Sequence, residues 1–264
     1  MDIENNSFAH PDFYLLTAEE AGKDIKIEQV KEMAKQAAFA PVLSEHKVCI
    51  IDDAGQMTAE AANSLLKLLE EPPPGWMFIL ITQQAERLLP TVLSRVVRLR
   101  FDAPDTSAVR QILKAKGITQ NAQVLAALAG GSPGRALSYN QADIFAIRRE
   151  ALDLLKKLPL QNPFGYIAAL GWGEKYDRAA ALLLTEQFIY LLRDVLLLQS
   201  GAGGQVYNTD IMAGLDGIAA DWPLHTARQG VNAAQEAWQN INKNVSAKNV
   251  LEALVLKLDL LRKE

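Results

Sequence analysis

The feature that most constrains this chain is a pair of short apolar runs separated by one helix-length segment. Val48 to Ile51 and Trp76 to Ile81 are continuous and apolar. They are too short for stable helices and have the pattern of strands buried on both faces. Between them Ala61, Ala62, Leu65, Leu66 and Leu69 recur at helical spacing. Thr58 is placed to cap that helix and Glu60 lies in its first turn, where the dipole favours a negative charge. Pro72-Pro73-Pro74 stops it. After the second run come Thr82, a Leu-Leu-Pro turn and Ser94-Arg95, and Val96 to Phe101 is expected to be a third strand. The core is therefore expected to be α/β. Asp52-Asp53 leaves the sheet at a strand's C-terminal edge, where open α/β sheets put ligands. Such a pair can hold Mg²⁺ and orient a nucleotide's attacking water. Strand-end aspartates are also common caps and turn formers, so the pair alone does not decide.

With 264 residues, 49% of them hydrophobic, the chain can bury a substantial core in two or three domains. A net charge of −4 gives no broad basic footprint, which argues against tight nucleic-acid binding by this chain alone. The single cysteine, Cys49, falls inside an expected strand, which excludes a disulfide framework and a cysteine-rich zinc site. No apolar run reaches membrane-spanning length, and a soluble cytoplasmic protein is expected. His10, His46 and His225 lack metal-ligand spacing.

Met1 to Ala9 is polar. His10-Pro11-Asp12 leads into a short strand, and Ile27 to Ala38 carries helical spacing through Val30, Met33, Ala34 and Ala37. A phosphate-binding loop needs Gly-x-x-x-x-Gly-Lys-Ser/Thr. At Gly22-Lys23 the first glycine is replaced by Thr17 and the hydroxyl residue by Asp24, so this is no P-loop. From Asp102 short helices are expected: Ser107 to Lys116 capped by Thr106, Asn121 to Ala129 closed by Gly130-Gly131, and a third opened by Ser132-Pro133 that carries Arg135. Ala142 to Leu158 begins a longer helical region. Ala179 to Gln199 is apolar on most faces and must be buried against neighbours. Leu224 to Ile241 and Ser246 to Leu261, with Ser246 as cap, close the chain.

Gly130-Gly131-Ser132-Pro133-Gly134 satisfies Gly-x-Ser-x-Gly, and Asp216 or Asp221 with His225 completes the residue order of a hydrolase triad. A nucleophile elbow needs a buried strand before the serine. Val124 to Ala129 is alanine-rich and helical, so hydrolysis is not expected.

The ordered words IIDDA, NSLLKLLEEPPP, FILIT and ERLLPTVLSR resemble the AAA+ core of bacterial clamp-loader subunits, and most of all the delta-prime branch of that family. The likeness is strong over Lys47 to Phe101 and looser elsewhere. It implies a partial AAA+ core (RecA-like parallel sheet) over 1–102, a helical lid over 103–145 and a C-terminal helical collar bundle over 146–264. It also implies that the family's N-terminal part, with its first strand and degenerate phosphate loop, is shortened here. A sheet without that strand would leave apolar surface uncovered, and low stability is expected for 1–102.

By the same resemblance Arg95 matches a trans arginine finger, in Ser94-Arg95-Val96 where the family has Ser-Arg-Cys. Asp52 and Asp53 match Walker B, with Asp53 where active enzymes have Glu, and Thr82 and Arg135 match sensors 1 and 2. These last four are expected to be vestigial nucleotide-binding positions. The function implied is a non-hydrolysing stator in a pentamer with gamma/tau motor and delta subunits. Those neighbours would hold ATP and Mg²⁺ and hydrolyse the ATP while loading the sliding clamp onto primed DNA. The alternative is an ATP-hydrolysing motor of the gamma/tau type.

Overall fold

The computed structural model describes residues 10–20, 23–37 and 39–263. Met1 to Ala9, the glycine of Gly22-Lys23, and Ala38 at the end of the expected 27–38 helix lie outside the described residues. The chain divides into two compact units, Met1–Phe101 and Asp102–Glu264.

In the first unit β1 (Phe13–Leu16), α1 (Ile27–Gln36), β2 (Lys47–Ile51), α2 (Ala59–Glu70), β3 (Trp76–Leu80) and α3 (Pro90–Leu93) follow in order. The strands form a parallel sheet ordered β1-β2-β3, with Phe13 beside Val48 and Val48 beside Met77. The Thr58 hydroxyl caps α2 by accepting the Ala61 amide at 3.2 Å.

Strand alternation then separates two faces. Leu16, Cys49, Ile51 and Trp76 meet Val30 and Met33 of α1 and Ala61 and Leu65 of α2 in one buried core. Phe13, Leu15, Val48, Ile50, Met77 and Ile79 occupy the other face by register. Met77 and Ile79 there are exposed, and Val48 and Ile50 only half-buried. The expectation of strands buried on both faces is thus corrected. Both long helices of this unit pack on one side of the sheet, so an all-apolar run does not guarantee two covers.

A second correction concerns Val96 to Phe101, which is not a strand. Val97, Leu99 and Phe101 are 89%, 78% and 90% exposed. Their alternation with Arg98 and Arg100 is strand-like, but a strand also needs a hydrogen-bonding neighbour. Among the described residues no strand pairs with this segment.

Asp12 fixes the entry to this unit. Its carboxylate accepts the amides of Val42 (2.7 Å), Leu43 (2.7 Å) and Ser44 (2.8 Å). Burial opposes its charge, yet the three amide donors outweigh that and hold the carboxyl below its ordinary range.

The second unit is helical: α4 (Thr106–Ala115), α5 (Ala122–Leu128), α6 (Pro133–Gln141), α7 (Ile144–Lys157), α8 (Pro163–Leu170), α9 (Trp172–Lys175), α10 (Arg178–Gln199), α11 (Met212–Asp221), α12 (Leu224–Asn242) and α13 (Ala247–Leu261). The cap of α4 is Asp105, not Thr106: its carboxylate accepts the Ala108 amide at 2.8 Å. Ser132 caps α6 as expected, at 3.2 Å from the Arg135 amide. Ser246 holds the cap position of α13 but makes no side-chain capping bond.

The apolar α10 is central, packing against α7, α11, α12 and α13. Leu184, Phe188, Leu191, Leu192 and Val195 on it are buried. Gly230 lets α12 close on it, since a Cβ there would lie 3.0 Å from a Leu192 methyl. The helix α11 has no counterpart in the sequence reading, because Gly214 and Gly217 weaken its local pattern. Burial of its Leu215 and Ile218 overrides propensity.

Candidate functional site

The expected site residues fall in three places. The first is the C-terminal edge of the sheet. The Asp52 amide donates to the Leu16 carbonyl at 2.9 Å, and the Ala54 amide to that of Ile81 at 2.8 Å, so the end of β2 is stitched to both flanking strands. Between these bonds Asp53 adopts φ +48°, a left-handed conformation that aspartate tolerates better than most residues. Its amide donates to Asp52 Oδ1 at 3.0 Å. Thr82 lies beside this turn, its Oγ1 3.0 Å from where a Cβ on Gly55 would sit. The same hydroxyl accepts the Gln84 amide at 3.2 Å.

Asp52, Asp53 and Thr82 are therefore brought to one edge, with both carboxylates exposed. They could supply hard oxygens to a magnesium ion, but the described residues contain no P-loop to cradle the phosphates beside it. One carboxylate oxygen of Asp52 is already satisfied locally. The trio by itself is an incomplete nucleotide site.

Arg95 lies elsewhere. Helix α2 returns the chain from the C-terminal edge of β2 to the start of β3, so its last residue, Glu70, lies toward the opposite edge. Arg95 is tied there: Nε donates to Glu70 Oε1 at 2.6 Å and Nη2 reaches the same oxygen. Nη1 donates to the Thr91 carbonyl at 2.9 Å and to Ser94 Oγ at 3.2 Å. The side chain is 34% exposed and that of Glu70 48%, so the pair is on the surface, not in the core.

Arg135 in the second unit forms a third cluster. Its Nε donates to Tyr139 OH at 2.6 Å, and Nη2 to Tyr190 OH at 2.9 Å and to Glu186. Tyr139 in turn donates to Glu186. Burial opposes the charge on Arg135, but Glu186 and the two tyrosines outweigh it and raise its pKa. Burial, then the bond to Glu186, raises that of Tyr139, which stays protonated. Nε and Nη2, the two nitrogens of one guanidinium edge, are both committed within its own unit.

The remaining candidates resolve simply. Helix α5, not a strand, precedes Ser132, whose hydroxyl is spent capping α6, so the Gly-x-Ser-x-Gly word is not a nucleophile elbow. Cys49 is buried, which pushes its thiol up to about 12. Among the described residues no histidine, cysteine or carboxylate group forms a metal cluster. None of the described helices is long and apolar enough to cross a membrane.

A family model described as "DNA polymerase III, delta subunit" matches residues 3–105, the span that holds the sheet, the aspartate pair and Arg95. The delta-prime subunit of DNA polymerase III from Bacillus subtilis is 29% identical over 252 residues, 94% of this chain and 76% of that protein. The Escherichia coli delta-prime subunit is 32% identical over 228 residues, 85% of this chain and 65% of that protein. Similarity to delta-prime subunits thus extends over most of the chain. A gamma/tau subunit from Mycobacterium bovis is 30% identical over 203 residues, covering 66% of this chain and 34% of that protein. The chain thus spans just under two thirds of the E. coli delta-prime subunit and about a third of the gamma/tau relative. The fold expected of a delta-prime member, α/β followed by all-α, is the one observed.

Sequence reasoning missed the partners of both arginines. Glu70 is 25 residues from Arg95 and Glu186 is 51 from Arg135. Only Glu70 carried a signal: it is a carboxylate at the C-terminal end of a helix, where the dipole disfavours one.

Proposed function

We propose that this chain is the stator of a clamp loader. Arg95 would be supplied in trans to an ATP site on an adjacent gamma/tau subunit, within a cytoplasmic pentamer that also holds a delta subunit. In that assembly residues 103–145 are the lid and 146–264 the collar. ATP and Mg²⁺ are held and turned over by the neighbours, and the sliding clamp is placed on primed DNA. A guanidinium beside the γ-phosphate stabilises the charge of the transition state, so its absence costs turnover more than nucleotide affinity. Asp52, Asp53, Thr82 and Arg135 have no such task in this reading; Asp52, Thr82 and Arg135 are bonded within the chain instead.

The observation that carries the proposal is the placement of Arg95. It sits on the surface at the far end of α2 from Asp52-Asp53, so its charge is directed away from the chain's own sheet edge. The gamma/tau relative favours a second reading, a motor subunit with turnover of its own. Reconstitution separates the two. The purified chain, mixed with cognate gamma/tau and delta subunits, should enter one complex on size exclusion with light scattering and should raise ATP turnover in the presence of clamp and primed DNA. Failure to enter the complex, or turnover by the chain alone well above background, would overturn the stator reading.

A further inference from the structure

A finger that serves a neighbour's nucleotide must have donors free to give. In this chain Arg95 has few. The Nε–Nη2 edge, the one suited to a bidentate grip on an anion, is filled by Glu70, and Nη1 is spent on Thr91 and Ser94. Glu70 is the last residue of α2, so the negative end of the helix dipole works against its carboxylate. Glu71 follows at the cap position, adding a second like charge. A residue that breaks a local rule invites a functional reason. Here the arginine supplies the compensation, and the carboxylate in return fixes where the arginine points.

The pair is also weak enough to exchange. Both side chains are reached by water, which screens them and lowers the worth of their attraction. A triphosphate's oxygens carry more charge than one carboxylate and can take the same edge of the guanidinium.

We propose that Glu70 is a positioning residue that parks Arg95 in the free subunit and is displaced by the neighbour's phosphate oxygens when the complex forms. This rests on the trans-finger reading above. Glu70 then competes with the nucleotide for one cation, and removing its charge frees the finger.

The test uses the reconstituted complex with four forms of this chain: wild type, Glu70→Gln, Arg95→Ala, and the double variant. Glu70→Gln should raise clamp-independent ATP turnover by about twofold to fivefold, the range a water-exposed ion pair can supply. Glu70→Asp, which keeps the charge, should return turnover toward wild type. Arg95→Ala should lower turnover, and the double variant should match Arg95→Ala, because Glu70 acts only through that arginine. A Glu70→Gln complex that turns over like wild type, or falls with Arg95→Ala, would overturn parking while leaving the finger intact. A rise that persists in the double variant would overturn it equally, since Glu70 would then act by another route. If Arg95→Ala itself changes nothing, the trans-finger reading fails and parking with it.

Discussion

The two units of this chain solve the same problem differently. The helical unit closes on itself: α10 is buried against four other helices, and one continuous core runs from Val109 to Leu258. Even its buried charges are provided for. Asp194 is fully buried and accepts the Tyr207 amide (3.2 Å), the Asn208 amide (3.0 Å) and the Asn208 side chain (2.7 Å), and it pairs with Arg193. Arg148 reaches Asn208 at 2.9 Å and grips Asp210 with two nitrogens. The sheet unit closes only one face, leaving Met77, Ile79, Ile81, Val97, Leu99 and Phe101 exposed. What distinguishes the units is coverage and not hydrophobicity, since the strands are as apolar as the bundle helices.

The difference teaches where substitutions should hurt. The largest expected effect is Asp194→Ala. It orphans three donors in a dry site, and about 3 kcal/mol or more of stability should vanish in urea unfolding of the second unit. A loss under about 1 kcal/mol would mean the buried network is not holding the 203–211 segment to α10. At the other extreme stands Ile79→Ser. In a covered parallel sheet it would leave a cavity, but on the open face stability should move by no more than about 0.5 kcal/mol. A cost of about 2 kcal/mol or more would show that something packs on that face in solution and would end the contrast between the units.

Much of this was legible in the sequence because it is local. The βαβ core, the Thr58 and Ser132 caps and the burial of α10 follow from spacing and hydroxyl placement within a few residues. The strand expected at Val96 to Phe101 was misjudged because alternation reports a strand's faces but not its neighbour. Burial on both sides of Val48 to Ile51 was misjudged because a run of apolar residues cannot say how many helices return to cover it. The site divides the same way. Asp52, Asp53 and Thr82 could be placed together because strand ends of a parallel sheet share an edge. The pairing of Arg95 with Glu70, and of Arg135 with Glu186, could not be read, since each depends on how distant segments come back together.

The most direct measurement is ATP turnover by the complex reconstituted with Arg95→Ala in place of the wild-type chain. With assembly unchanged on size exclusion, kcat stimulated by clamp and primed DNA should fall by at least about tenfold while KM for ATP stays near its wild-type value. Unchanged stimulated kcat in a fully assembled complex would contradict the trans role of Arg95.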